Sequence, residues 1–201
     1  MRLYVTLTSP YARLARIVVR EKGLEAEVVE IVAETRKPGS PYYRINPSGR
    51  VPYLVRDDGI GMEDSQLICL YLDHLGGAPA LHLPFETGNW AYGRIEATAR
   101  SLCDGISVWV REMRRPAGER SPNILAHEIE RARRLADVFE HAVRGPPLAE
   151  RVTMASLLLL VAVDSSRFSE MDDLEATRPT LAAWAKELRR LPSVAATAPK
   201  K

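Results

Sequence analysis

Apolar and polar positions follow two rhythms along the chain, and the change between them divides it. Residues 2–7 are β-prone, and Thr8-Ser9-Pro10 breaks that run. Pro10 suits the first turn of a helix, with Thr8 or Ser9 as its cap. Leu14, Ile17 and Val18 follow at helical spacing, and Gly23 closes the segment. Residues 26–32 read as a second strand. A Pro/Gly-rich stretch, Lys37 to Pro41, leads into Tyr42-Tyr43-Arg44-Ile45 and then into the turn formers Asn46-Pro47-Ser48-Gly49. Asp57-Asp58-Gly59 is a hairpin signal, so residues 53–56 and 60–63 pair antiparallel. Asp64-Ser65 caps a helix that carries Ile68, Tyr71, Leu72 and Leu75 on one face. The predicted order is β-α-β-α-β-β-α, a mixed sheet between helices.

Beyond a Gly/Pro/Ala-rich stretch from Gly76 to Gly88, the period is helical throughout. Ile95, Leu102, Ile106 and Trp109 lie on one stripe, and Ile129, Ala132, Ala136, Phe139 and Val143 on a second. Gly145-Pro146-Pro147 stops the second helix. Residues 153–164 read as buried on all sides, and Pro179 opens a last amphipathic helix that ends at Pro192. Asp104-Gly105 is expected to interrupt the first long helix. The expected division is therefore a first domain over 1–76, a linker over 77–86 and an all-α domain over 87–201.

Composition narrows the function classes. Of 201 residues, 46% are hydrophobic and 27% charged, with a net charge of +2 and no segregated basic stretch. A nucleic-acid partner is not expected, because such proteins concentrate Lys and Arg on one face. The longest apolar run, Met154 to Val163, is about half the roughly 20 residues that span a bilayer. The first residues read as a strand rather than a signal segment, so a cytoplasmic protein is expected. Cys69 and Cys103 sit in apolar helical segments and read as buried thiols. His74, His82, His127 and His141 show no ligand spacing, and no metal is assigned.

The strongest single motif is Arg50-Val51-Pro52-Tyr53-Leu54. Pro52 either starts an edge strand or forms a cis bond that turns the Val51 backbone outward, where it can pair with an extended peptide. Together with Asn46-Pro47, this segment resembles the Asn-Pro-x-Gly-x-Val-Pro-x-Leu element of glutathione S-transferases. Three further segments resemble the same family in the expected order. They are Ser9-Pro10-Tyr11 after the first strand, Glu63-Asp64-Ser65 before a helix with Tyr71-Leu72, and Arg178-Pro179-Thr180-Leu181 with Trp184 and a closing Pro192-Ser193-Val194. The resemblance implies an N-terminal thioredoxin-like domain followed by an all-helical bundle.

It also implies a chemistry. Glutathione would be the co-substrate, its thiolate attacking a small hydrophobic electrophile or a peroxide bound against the helical domain. Ser9, with Thr8 as the alternative, would donate a hydrogen bond to the thiolate, although a Ser there also reads as a plain helix cap. Val51 and Pro52 would meet the cysteinyl backbone, Asp64 and Ser65 the γ-glutamyl end, and Arg50, with Lys37 as a second cation, the glycyl carboxylate. Asp64-Ser65 in isolation reads as an ordinary cap. Tyr11, Asp104 and Trp109 would serve the second substrate. Homodimers are usual in the family. A non-catalytic binding or regulatory protein of this fold is the alternative. One departure concerns Thr153-Met154-Ala155-Ser156, where Ser156 replaces the family's acidic residue and is expected to leave the capping pair incomplete.

Overall fold

The computed structural model describes residues 1–77, 79–82, 90–169 and 172–199. It divides into two units, Met1–Ala80 with Leu191–Lys201, and Leu81–Arg190. Half of the expected linker, at 78 and 83–86, lies outside the described residues.

The first unit is built on β1 (Arg2–Val5), which ends where the chain turns at Leu7 and Thr8. It pairs parallel with β2 (Val29–Val32) and antiparallel with β3 (Tyr53–Val55), which pairs antiparallel with β4 (Gly61–Glu63), giving the order β2-β1-β3-β4. β2 starts three residues later than the pattern suggests, because the amides of Glu27 and Val28 are taken by Leu24 O in a turn. Strand alternation sorts the side chains. Leu3 lies opposite Leu54, both fully buried, while Tyr4 lies opposite Tyr53 on the other face. Helices α1 (Pro10–Glu21) and α2 (Ser65–Leu75) pack on each other and on the sheet. On the Tyr4 side the cover is Tyr42, whose ring centroid lies 5.6 Å from that of Tyr4. The helix predicted between β2 and β3 is only a 3₁₀ turn, Pro41–Arg44. Asn46 precedes a proline and disfavours α backbone, so the turn cannot lengthen. Lys22 and Asp73 form a buried ion pair at 3.0 Å between the ends of α1 and α2.

The second unit holds α3 (Trp90–Met113), α4 (Pro122–Ala142), α5 (Met154–Phe168) and α6 (Pro179–Leu188). α5 is buried from Met154 to Ser166, α3 packs on both α5 and α4, and α6 packs on α4. Two expectations are corrected here. α3 runs unbroken through Asp104-Gly105. The glycine instead admits α4, since a Cβ there would lie 2.6 Å from Glu128 Oε2. Ser156 does complete the capping pair. Its Oγ accepts from Thr153 N at 2.8 Å while Thr153 Oγ1 accepts from Ser156 N at 3.2 Å. Both residues are wholly buried, so no water competes for the short hydroxyl. A further helix, α7 (Pro192–Ala196), follows where the pattern predicts only a stop, and packs on α1 in the first unit.

Candidate functional site

Strand directions gather the predicted residues of the first unit. β1, β2 and β4 run one way and β3 the other. The chain therefore leaves β1 toward Ser9, leaves β2 toward Lys37, enters β3 from Val51 and leaves β4 toward Asp64 and Ser65, all at one end of the sheet. Four segments more than 50 residues apart in sequence at the extremes become neighbours through register alone.

The loop before β3 is held from within. Asn46, only 2% exposed, uses its whole amide. Its Nδ2 donates to Arg50 O at 3.0 Å and to Glu63 Oε2 at 2.9 Å, and its Oδ1 accepts from Ser48 N at 3.1 Å. The Tyr42 hydroxyl also donates to Arg50 O, Ser48 Oγ donates to Glu63 Oε2, and Arg50 N donates to Ser48 Oγ at 3.2 Å. Burial, with the nearby Glu63 charge adding to it, pushes the Tyr42 phenol above its ordinary pKa despite the opposing contact from Asn46. It remains a neutral donor through the physiological range. Gly49 has φ +67, and a Cβ there would meet the Tyr43 ring at 2.7 Å. Arg50 itself is exposed. The Val51–Pro52 bond is cis, and the described residues offer no hydrogen-bond partner to the amide or carbonyl of Val51.

At the start of α2, Asp64 Oδ1 caps Gln66 N at 2.7 Å. The Asp64 backbone lies at φ 79, ψ 124, a region costly for any residue with a Cβ. Ser65 is 6% exposed, and its hydroxyl has no partner among the described residues. Its amide and that of Leu67 belong to the first turn and take no intrahelical bond.

At the start of α1, Ser9 is half-buried and its Oγ accepts from Ala12 N at 3.2 Å, which leaves its own proton to donate elsewhere. Thr8 is exposed in the turn and is not the residue that caps α1. Tyr11 is partly exposed in the first turn of α1. Lys37 pairs with Glu34 at 3.0 Å, both largely exposed. In the second unit, Asp104 is exposed on α3 and Trp109 is buried in its core. Tyr42, Asn46 and Glu63 escaped the sequence reading as site residues, because their convergence depends on β3–β4 register. The one local signal was the polar Asn before Pro47. Among the described residues, no three His, Cys, Asp or Glu side chains gather as a metal would require, and no helix is long and apolar enough to cross a membrane.

Known proteins share this fold. A family model for the glutathione S-transferase N-terminal domain matches residues 3–80. The uncharacterized GST-like protein YibF of Escherichia coli is 30% identical over 203 residues, covering 100% of both chains. Among solved structures, a glutathione transferase family member from Pseudomonas fluorescens with bound glutathione has a TM-score of 0.90 at 26% identity, over 100% of this chain and 99% of that one. A glutathione S-transferase from Methylobacillus flagellatus with glutathione bound reaches 0.87 at 26% identity, over 99% of each chain.

Proposed function

The chain belongs to the glutathione S-transferase family, and on that premise we propose that it binds glutathione at this end of the sheet and activates its thiol for attack on a small electrophile or peroxide. The observation that carries the proposal is the pairing, at one sheet end, of an unpartnered Val51 backbone with the open amino end of α2. An extended tripeptide needs main-chain partners for its cysteinyl unit and an anion site for its γ-glutamyl carboxylate. Val51 supplies the first. The free amides of α2 and the Ser65 hydroxyl supply the second, since helix amino ends favour anions. Asp64 would meet the γ-glutamyl ammonium, and exposed Arg50, with Lys37 as a second cation, would meet the glycyl carboxylate.

Ser9 is the activating group. A free thiol has a pKa of about 8.5, and lowering it by about 2 units takes roughly 2.7 kcal/mol of preferential stabilisation of the thiolate. One hydrogen bond to a charged acceptor supplies roughly 1.5–3 kcal/mol. The Ser9 hydroxyl, already an acceptor from Ala12 N, keeps its proton for the sulfur. The thiol proton leaves to solvent, and the thiolate lone pair forms a bond to the electrophilic carbon as the leaving group departs with the electron pair of its own bond, or to a peroxide oxygen as the O–O bond breaks and releases the other oxygen as an alkoxide. Thr8 lacks the half-buried cap position and is the weaker candidate. Tyr11, two residues beyond Ser9 in the first turn of α1, is the first unit's candidate for contact with the second substrate. We extend the proposal to a cytoplasmic homodimer, for which Leu67 and Leu70, 47% and 43% exposed on α2, are suitable contact residues.

The second reading, a glutathione-binding protein without turnover, is favoured by one observation: Ser9 already has a structural use as the α1 cap. Ultraviolet titration of bound glutathione separates the two. A thiol that ionises below pH 7.5 in wild type and returns to about 8.5–9 in Ser9→Ala supports the transferase. A normal pKa in both leaves a binding protein, and no binding at millimolar glutathione removes both.

A further inference from the structure

We infer that Tyr42 and Asn46 are positioning residues, which aim the Val51 amide at the ligand by fixing the peptide plane it belongs to. The inference rests on the glutathione reading of the site but concerns residues that touch no ligand in that reading. In a trans peptide the carbonyl oxygen and the following N–H point in opposite directions from one rigid plane. The Arg50–Val51 peptide carries both groups in question. Its oxygen accepts from the Tyr42 hydroxyl and from Asn46 Nδ2 at 3.0 Å, and both donors are at least 96% buried. The Arg50 amide on the preceding plane is held by Ser48 Oγ at 3.2 Å. Every polar backbone group of Arg50 therefore has a partner within the protein, while neither of Val51 has one among the described residues. Two inward bonds on the oxygen leave the Val51 N–H one direction, outward.

The anchors of these donors are themselves fixed. The Tyr42 ring packs against Tyr4, and Asn46 is tied to Glu63 at the end of β4, one residue before Asp64. The same asparagine thus couples the Val51 plane to the segment that starts α2. A preformed amide of this kind spares the ligand the ordering cost of the loop, so its loss falls on affinity rather than on the activated thiol.

Tyr42→Phe removes one hydroxyl and keeps the ring packing. Nitrogen relaxation of the Val51 amide in ligand-free protein and the glutathione Kd are measured together, with Tyr43→Phe as control. The Tyr43 ring packs in the same cluster, but its hydroxyl has no bond to Arg50 O. The expected result is a Val51 order parameter that falls from the rigid value of about 0.85 toward about 0.6. The Kd rises about five- to tenfold, the fold-change one hydrogen bond supports. The pKa of the bound thiol, set at Ser9, does not move, and Tyr43→Phe behaves as wild type. Asn46→Asp, which keeps the shape but has neither N–H, gives a larger loss of the same kind. Wild-type rigidity and affinity in Tyr42→Phe overturn the inference while leaving the glutathione site intact. A Val51 amide that loosens in a protein whose wild type binds no glutathione overturns the ligand reading and supports the tether itself.

Discussion

The amino ends of α5 and α2 use the same device on different backbones. Thr153 starts α5 from φ −135, ψ 165, and its hydroxyl and that of Ser156 satisfy each other's amides within a sealed core. Asp64 starts α2 with an equally good cap, 2.7 Å to Gln66 N, from φ 79, ψ 124. Ser9 shows that capping does not require this, because it caps α1 at φ −81 with the same ψ of 124. A β-region cap costs nothing, whereas an aspartate at positive φ outside the left-handed helical well costs on the order of 1–3 kcal/mol. The α5 start closes a helix end for stability. The α2 start bears a cost that capping does not explain, and it leaves the Ser65 and Leu67 amides open. Strain with unspent donors is what a binding end looks like, and a closed hydroxyl pair is what a structural end looks like.

The largest effect expected from this contrast is at α5. Thr153→Ala leaves the buried Ser156 amide without a partner, combining loss of a cap with an unsatisfied buried donor. Stability should fall by about 2 kcal/mol, or about 4–8 °C in Tm for a chain of this size, with glutathione affinity per folded molecule unchanged. Thermal unfolding with a parallel binding isotherm measures both. A loss below about 0.5 kcal/mol would mean that the box contributes no more than a surface cap does.

Asp64→Gly should produce the opposite split. Glycine accepts positive φ freely, and as an N-cap replacement it costs only a few tenths of a kcal/mol. The fold should keep its stability within about 1 kcal/mol, while glutathione affinity falls roughly tenfold or more with the loss of the carboxylate that meets the ammonium. Unfolding and calorimetric titration of the variant give the two numbers. Unchanged affinity would reduce Asp64 to a strained cap and remove half of the contrast with Thr153.

The contrast also shows where sequence is transparent. The caps at Ser9, Asp64 and Thr153, and the segment Asn46–Leu54, were readable because turn and cap chemistry is local. The antiparallel pairing of β3 with β4 was readable from the Asp57-Asp58-Gly59 hairpin, whereas the order β2-β1-β3-β4 emerges only from long-range pairing. The backbone strain at Asp64 has no local signature, since the residue type argues for an ordinary cap. The convergence of Tyr42, Asn46 and Glu63 exists only once β3 pairs with β4 in one register. Ser156 was underestimated because composition says nothing about whether water reaches a hydroxyl, and α7 because a five-residue helix has too few positions to show a period.

The start of α6 is a third case, and it titrates. Its N-cap residue, Arg178, has no capping oxygen, and its guanidinium instead reaches Asp137 at 2.8 Å and Leu174 O at 3.1 Å. The first-turn amides are capped from another helix, with Glu140 of α4 accepting from Thr180 N at 3.0 Å and Leu181 N at 2.8 Å. Desolvation pushes the Glu140 carboxyl up, but these bonds and the Arg144 charge outweigh it and hold the pKa below its ordinary 4.5. A carboxylate depressed in the folded state stabilises the fold above its unfolded pKa, and that contribution is lost as pH falls through the folded value. The stability gap between wild type and Glu140→Gln should therefore be constant from pH 7 to about 5, shrink from about 4.5 and close below the folded value. The Thr153→Ala gap involves two hydroxyls and should stay level across the same range. Because Glu140 is solvent-accessible, its gap is the smallest of the three, and chemical denaturation at each pH resolves it. A Glu140 gap as flat as that of Thr153 would mean the amides of α6 do not depend on the charge of Glu140. The cap would then be no different in kind from the neutral pair that starts α5.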